Sequence, residues 1–488
     1  MNEGIESQIT SYLLDQGEDF NRRFDQTQNR NMFPAKSYNP QRLPEVKNMG
    51  VGSPVRTAGR VIFKRVMGKT TFLNIQEAGS VVQVYTNKGE TQNYDFIRRE
   101  LDIGDIVGFE GELFKTQTDE LTLRTSDYQV LGKSLRPLPD KHAGLKDPHL
   151  RAKKRNLDLI VNEESRKALH VRSIANQTIR NYLTGRDFIE VETPILQPIY
   201  GGANARPFVT TLNAEGGSDA YLRISNELYL KRLIMGGLER VFEFAKDFRN
   251  EGIDKTHNPE FTQLELYQAY ADYFDMMDRA EDIFTEVAKK IGKSKFKFMG
   301  HDVDMSEKWS RVSMEESLRE IGELDIDIED REKVISFVKE KDIDFDGELN
   351  YGNALLALFE EFVEPKLIQP NIIFDYPVEV SPLAKNHRSK PGMVERFEFF
   401  IGGKEFGNAY SELNDPIEQR RRLLHQHSMR SNDEEAHPLD EDFLNAMEYG
   451  MPQTGGLGIG MDRLCMLFAE RDTIRDVLYF PFKKPSSK

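Results

Sequence analysis

VFEFAKDFRNEGIDKTHNPEFTQLELYQAY, residues 241–270, reads as two strands joined by a polar loop. Successive side chains of a strand point to opposite sides. On the first run Phe242, Phe244 and Phe248 therefore take one face and Arg249 the other; on the second, Phe261, Glu265 and Tyr267 share a face. A face offering a guanidinium, an aromatic ring, a carboxylate and a phenol is poor core material. Taken alone, it suits a ligand site or the exposed polar side of a hairpin.

A second hairpin lies at RFEFFIGGKEFGNAYSELND, residues 396–415, where Gly402-Gly403 forms a two-residue turn of the primed type. The turn predicts Phe400 opposite Glu405 and Glu398 opposite Gly407, with the Glu398 and Glu405 carboxylates as diagonal neighbours on one face. Gly407 would leave room beside them, and the shifted phase of Asn408, Tyr410 and Glu412 predicts a bulge beyond it. On spacing alone, the two carboxylates fit a Mg²⁺ site shared with nucleotide phosphates or a solvated hairpin face equally well.

Near the C-terminus TGGLGIGMDRLCMLF, residues 454–468, reads as a glycine-rich strand running into a helix with Arg463 in its first turn. Amides at such a helix start beside an arginine favour a phosphate. Close strand–helix packing explains the glycines as well, and the run matches neither common nucleotide-loop spacing.

Outward from these segments, five short β-type runs fall within residues 55–131: VRTAGRVIF, TTFLNIQE, SVVQVYT, DIVGFEGELF and ELTLRTSDYQVL. They predict a small oligonucleotide-binding (OB) barrel. Residues 1–50 predict a short helix from Ile5, Ile9 and Leu13, then an extended lead-in, with no function assigned. A helix is expected from about Glu163 to Thr184, stopped by Gly185, followed by a strand FIEVETPIL. The acidic stretch at about 310–350 predicts helices with solvated faces. The expected organisation is an extension (1–50), the barrel (51–134), a basic hinge (135–155) and a larger α+β domain (156–488).

A chain of 488 residues needs two or more cores. Its net charge of −15 argues against indiscriminate nucleic-acid binding, but residues 132–156 place eight basic side chains against Asp140 and Asp147, either a local basic surface or a solvated linker. The single cysteine, Cys465, excludes an internal disulfide and reads as a small buried hydrophobe. No apolar run of about 18 residues and no leader pattern is present, so a cytoplasmic protein without a membrane span is expected.

GRDFIEVETPIL (185–196), FRNEGIDKTHNPEF (248–261) and GLGIGMDRL (456–464) resemble, in order, motifs 1, 2 and 3 of the class II aminoacyl-tRNA synthetases. GGANARPF (201–208), YLRISNELYLKRL (221–233), the second hairpin and TIRDVLYFP (473–481) are similar to the bacterial-type lysyl-tRNA synthetase family, and the similarity runs from about Val55 to the end. The resemblance implies an α+β fold, with an N-terminal five-stranded OB barrel that reads the anticodon and a class II catalytic domain built on an antiparallel β-sheet with helices. It implies the substrates lysine, ATP and tRNA(Lys), a Mg²⁺ cofactor and a homodimer formed through motif 1. Residues 1–50 match poorly, and the lysine-rich extension frequent in that family is absent.

Carried over by position, Arg249 would hold the α-phosphate and the amino acid carboxylate, and His257 the outer phosphates. Phe261 and Arg463 would sandwich the adenine, with Glu251 and Asn258 beside it, so Arg249 and Arg463 are the catalytic candidates. Glu398 and Glu405 would hold Mg²⁺. Gly202, Glu227 and Glu265 would take the α-amino group, and Tyr267 and Glu412 the side chain, with Asn408 in the same pocket. In the barrel Phe72, Gln83 and Glu120 match anticodon readers and Arg60 a phosphate contact; taken alone, Phe72 reads as barrel core.

An aspartyl or asparaginyl synthetase shares the same plan, but Glu412 offers nothing to an anionic or amide side chain. Enzymes that lysylate a translation factor lack the barrel. A catalytically inactive RNA-binding paralogue would have no use for Arg249, Glu398, Glu405 and Arg463.

Overall fold

The computed structural model describes residues 2–27, 37–139, 145–345, 349–429 and 438–482. Residues 28–36 of the expected extension and 140–144 of the expected hinge, Lys141 among them, lie outside the described residues. The chain divides into two compact units, with the boundary between Arg166 and Lys167.

In the first unit β1 (Pro54–Met67), β2 (Thr70–Glu77), β3 (Ser80–Asn87), β4 (Ile106–Lys115) and β5 (Leu121–Gly132) close into a barrel of order β1-β2-β3-β5-β4. Alternation does the sorting: Leu73, Ile75, Val84, Val107, Leu113 and Leu123 point inward and are fully buried, while Phe72, Asn74, Gln83 and Tyr85 stand half-exposed outside. Residues 2–50 are more helical than predicted, with helices Asn2–Leu14, Glu18–Thr27 and Leu43–Val46, and Leu43 and Val46 are buried in the barrel core. Three of the eight basic side chains of the run are consumed internally. The buried Lys133 ammonium pairs with Asp102 at 2.6 Å and Asp105 at 2.9 Å, and Arg151 and Arg155 converge on Asp158 at 2.9 and 2.6 Å.

The second unit is built on a sheet of eight strands among the described residues. They are β6 (Ile189–Glu190), β10 (Arg240–Phe248), β11 (Glu260–Ala269), β14 (Ser310–Ser313), β15 (Asn371–Pro377), β16 (Met393–Phe400), β17 (Glu405–Ser411) and β18 (Thr454–Gly460). The spatial order is β14-β15-β16-β17-β18-β11-β10-β6, antiparallel except for the parallel pairs at its two edges. β7 (Leu196–Gln197), β8 (Phe208–Leu212) and β9 (Ser218–Leu222) form a small sheet of their own, and β12 (Lys295–Phe298) pairs with β13 (His301–Asp304).

One face of the large sheet is covered by the helices Glu163–Thr184, Tyr273–Ile291 and Met461–Phe468. The first has the predicted span. The second opens with a capping box between Asp272 and Asp275 and stops at Gly292, whose φ of 80° suits a residue without Cβ. Leu264 and Leu266 of β11, Leu457 and Ile459 of β18 and Phe397 and Phe399 of β16 all enter this core. Cys465 is buried there, and burial pushes its thiol up to about 12.

Two expectations are corrected and one is extended. The strand FIEVETPIL is paired over Ile189–Glu190 only, before Leu196–Gln197 joins the small sheet. The acidic stretch forms the expected helices with solvated outward faces, and what the expectation left out is their inner side, where Met314, Leu318, Val334 and Val338 are buried with Ile373, Tyr376 and Phe400 of the large sheet. In the hairpin at 396–415, Gly402 and Gly403 have φ of 62° and 67°, as the primed turn requires. The bulge comes earlier than predicted, however, at Phe406. Phe400 pairs with Glu405, but Glu398 pairs with Asn408, and Gly407 faces Phe399.

Phe284 sits at the centre of this core, its ring 5.3 Å from Trp309, 5.6 Å from Phe399, 5.9 Å from Phe406 and 5.8 Å from Phe468. Phe284→Ala should cost about 3–5 kcal/mol of unfolding free energy. Urea unfolding followed through Trp309, the single tryptophan of the chain, measures it.

Candidate active site

Register builds the site. Directly paired residues run across the sheet in rows, and one row is Glu398, Asn408, Gly458, Glu265 and Glu243. The row two residues along is Arg396, Tyr410, Gly456, Tyr267 and Val241. The row between them, Phe397, Ala409, Leu457, Leu266 and Phe242, turns to the other face and belongs to the core. Glu398 and Glu265, 133 positions apart in sequence, thus share one line across the sheet.

The central strand of these rows carries glycine at 456, 458 and 460 on the site face. A Cβ at Gly456 would overlap Glu412 and approach the Tyr267 ring to 2.6 Å, and one at Gly458 would come within 2.7 Å of Gln263 Nε2. The glycines leave an open floor over which flanking side chains lean. The result is a cavity of about 480 Å³, in the size range of small-molecule sites. All fourteen of the residues proposed for nucleotide, metal and amino acid line it.

At one end the groups are cationic and aromatic. The Arg249 guanidinium stands 5.1 Å over the Phe261 ring, and its Nε is buried without a hydrogen-bond partner. Arg463 Nη2 lies 2.9 Å from His257 Nε2, and Nη1 donates 2.6 Å to the Glu405 carbonyl. Since the guanidinium can only donate, His257 Nε2 accepts, and its Nδ1–H donates to Asp254 at 2.8 Å. Bonds from His257 and Thr256 hold the Asp254 carboxyl well below its usual range against the effect of burial. Asn258 Nδ2 donates 2.5 Å to the Glu260 carbonyl, and Glu251 stands exposed at the rim. Sequence reasoning missed Asp462, which bonds Thr262 N at 2.8 Å and Arg172 at 2.5 Å and so ties the helix bearing Arg463 to β11.

At the other end lie three buried carboxylates, Glu227, Glu265 and Glu412. Ser225 Oγ, Gln263 Nε2 and Tyr267 OH donate to Glu265 at 3.1, 3.0 and 3.0 Å. Burial, with Glu227 and Asp247 nearby, pushes the Glu265 carboxyl up to about 8. Burial also drives Glu412 well above its usual range, opposed by Lys231. Tyr410 OH donates 2.7 Å to Glu227. Gly202 turns with φ of 88°, and a Cβ there would come within 2.8 Å of Ser225 Oγ. Sequence reasoning missed Lys231, Gln263 and Tyr410 as site residues; Lys231 and Tyr410 lie inside segments quoted for the family resemblance, and Gln263 in the first hairpin.

Between the two ends, Glu398 accepts from Tyr376 OH at 3.0 Å and Arg396 at 2.5 Å. Burial raises it to about 7, with Arg396 opposing and Glu405 adding to the rise; the Glu364 carboxyl is raised to about 7 by burial and Glu405. Among the described residues no three His, Cys, Asp or Glu side chains converge on one ion position. Two carboxylates remain, the donor set that suits Mg²⁺ when phosphates and water complete its shell. Gly407 offers no room for the ion. A Cβ there would overlap the Gly458 carbonyl and the Phe399 ring, so this glycine serves strand packing.

In the barrel, Gln83 Nε2 donates 3.0 Å to Glu120, and Thr122 Oγ1 donates 2.9 Å to Gln83. Phe72 lies on the same outer side, 5.3 Å from the Tyr85 ring, which is 5.7 Å from Phe114. Arg60 is not brought beside them. It pairs with Gln76, whereas Phe72 pairs with Arg65, and its guanidinium donates 2.7 Å to the Gly104 carbonyl.

Residues 147–484 match the family model of class II tRNA synthetases (D, K and N), and residues 55–131 match that of the OB-fold nucleic acid binding domain. A lysine–tRNA ligase of Pelotomaculum thermopropionicum is 48% identical over 439 residues, covering 88% of this chain and 86% of the relative. One from Methanoculleus marisnigri is 48% identical over 435 residues, covering 88% and 85%. One from Clostridium kluyveri is 44% identical over 481 residues, covering 96% and 95%.

An ammonium entering the acidic end needs carboxylates, yet burial pushes the Glu265 carboxyl up to about 8. Binding must therefore release protons, and affinity for a primary-amine ligand should rise as pH climbs from about 6 to 8. Calorimetry in buffers of different ionisation enthalpy measures the protons released. An affinity flat across that range, with none released, contradicts the raised pKa values.

Proposed function

Because the chain belongs to the class II tRNA synthetases of the aspartate, lysine and asparagine group, we propose that it is a lysine–tRNA ligase. It joins lysine to ATP as lysyl-adenylate, releasing pyrophosphate, and passes the lysyl group to the terminal ribose of tRNA(Lys). One observation carries the choice of amino acid. The cavity ends in three buried carboxylates, Glu227, Glu265 and Glu412, which suit a substrate with two ammonium groups. An aspartate carboxylate would be repelled there, and an asparagine amide would leave a buried charge unpaired.

In the first step a carboxylate oxygen of lysine attacks the α-phosphorus, and the bond to the bridging oxygen of the leaving pyrophosphate breaks. In the second, a ribose hydroxyl attacks the adenylate carbonyl and AMP leaves. Neither step needs a protein nucleophile, so positioning and charge stabilisation supply the catalysis. Arg249 meets the α-phosphate and the lysine carboxylate, where negative charge grows. His257 and Arg463 meet the outer phosphates. Phe261 and Arg463 enclose the adenine, and Glu251 and Asn258 border it. Glu398 and Glu405 would hold Mg²⁺, which would supply positive charge to the phosphates of ATP.

Glu412 takes the ε-ammonium together with Tyr267; Gly202, Glu227 and Glu265 take the α-ammonium, and Asn408 borders the pocket. Phe72, Gln83 and Glu120 read the anticodon through a stacking ring and two polar edges, with Arg60 as an outlying phosphate contact. Exposed Ile189, Ile195, Leu196 and Ile199 in and beside the first motif supply an apolar face for a homodimer. No helix among the described residues is long and apolar enough to cross a membrane, which agrees with a cytoplasmic enzyme.

ATP–pyrophosphate exchange with each of the twenty amino acids tests the assignment, and exchange supported by aspartate or asparagine instead of lysine would overturn it. Glu412→Gln should lower kcat/KM for lysine by about 10²–10³-fold, the equivalent of breaking a buried charge pair, while ATP affinity holds.

The division of labour between the units is tested separately. Phe72→Ala with Gln83→Ala should reduce tRNA charging by roughly tenfold to a thousandfold and leave pyrophosphate exchange near normal, since that half-reaction needs no tRNA. Parallel loss of both activities would mean the barrel is needed for catalytic-domain structure rather than for reading tRNA.

A further inference from the structure

The acidic end of the cavity contains a cation that the chain supplies itself. Lys231, on the helix Glu227–Met235, is 1% exposed. Its ammonium donates 2.5 Å to Glu227, pairs with Glu412, and lies 5.5 Å from the Tyr410 ring. It stands one helical turn from Glu227, behind the carboxylates, and is not itself part of the cavity wall. A buried ammonium is costly, and an apolar side chain of the same length would fill the space without that cost. What needs the charge is the pair of carboxylates in front of it.

We propose that Lys231 is a positioning residue for amino-acid selection: it holds Glu227 and Glu412 as a pair of inward-turned carboxylates, so that the pocket presents the charge that a dicationic substrate requires. The proposal rests on the lysine reading above. Once the substrate has displaced their protons, three carboxylates against one internal ammonium leave two negative charges at this end, matching the two ammonium groups of lysine. Without Lys231 three acids would crowd one dry site, and a carboxyl would keep its proton instead of receiving the substrate. The groups facing Glu412 are Glu227 and Lys231 from the helix, Glu265 and Tyr267 from β11, and Tyr410 beside it on β17. Of these only Lys231 draws the Glu412 carboxyl down, while burial, Glu227 and Glu265 push it up.

The test uses the full chain and its Lys231→Met and Lys231→Arg variants, with lysine-dependent pyrophosphate exchange followed across roughly pH 6 to 8.5. In Lys231→Met the KM for lysine should rise about tenfold or more near pH 7 with the KM for ATP unchanged, and the pH at which the lysine KM levels off should move up by about one unit or more. Lys231→Arg, which keeps the charge, should follow the wild-type pH profile even if its larger head lowers kcat. A lysine KM unchanged in the Met variant, or lysine and ATP KM rising together without displacement in pH, overturns the proposal. So does failure of both variants to fold, judged by Trp309 fluorescence, since that assigns Lys231 to core stability. If the wild-type enzyme does not activate lysine at all, the substrate reading falls instead, by a measurement that involves no variant.

Discussion

The active site depends on a strand that gives up its side chains. β18 is flanked by β17 and β11, and its site-facing positions are glycine, while Leu457 and Ile459 between them anchor the other face in the core. A strand with side chains on both faces would fill the cavity with its own Cβ atoms. The ones missing at Gly456 and Gly458 would strike Glu412, Tyr267 and Gln263, three groups that shape the acidic end. Hydrophobic burial on one face thus holds rigid the backbone whose bareness on the other makes room for a ligand.

Charge is then sorted along the cavity. Arg249, His257 and Arg463 gather where phosphates are proposed to lie, and three carboxylates gather at the far end. The cationic set is held by a buried polar network. Asp462 fastens the Arg463 helix to β11 through Thr262 and Arg172. Below the strand that leads to Arg249, the buried Arg223 pairs with Glu243 at 2.9 Å and Asp247 at 3.2 Å. Removing a single member of such a network would strand a charge in a dry interior, which ties the placement of the site to the integrity of the sheet beneath it.

The first unit works by the opposite logic. Its barrel closes around an apolar interior and leaves its polar and aromatic candidates outside, where Gln83 bonds Glu120 and Phe72 packs against Tyr85. Three of the eight basic side chains of the neighbouring run, Lys133, Arg151 and Arg155, are bonded to aspartates. An acidic chain whose basic segment is partly paired off is poorly made for indiscriminate nucleic-acid binding.

Period and turn chemistry were legible in the sequence. Strand alternation separated Phe242 and Phe244 from Arg249, the helical spacing of 163–184 marked a helix that ends before Gly185, and paired glycines at 402 and 403 marked the primed turn. These are local properties, set by backbone geometry over a few residues. The motif resemblance added candidate roles for the residues that line the cavity, which spacing alone left open. What the sequence could not decide was register and what stands behind the first layer of side chains. The bulge at Phe406 sets Glu398 against Asn408, and Gly407 lies so close to the Gly458 carbonyl, 51 residues away, that no side chain fits there. Lys231 looks like any helical lysine until β17 folds Glu412 against it. Both outcomes are set by which distant atoms share one small volume, and only the tertiary structure brings those atoms together.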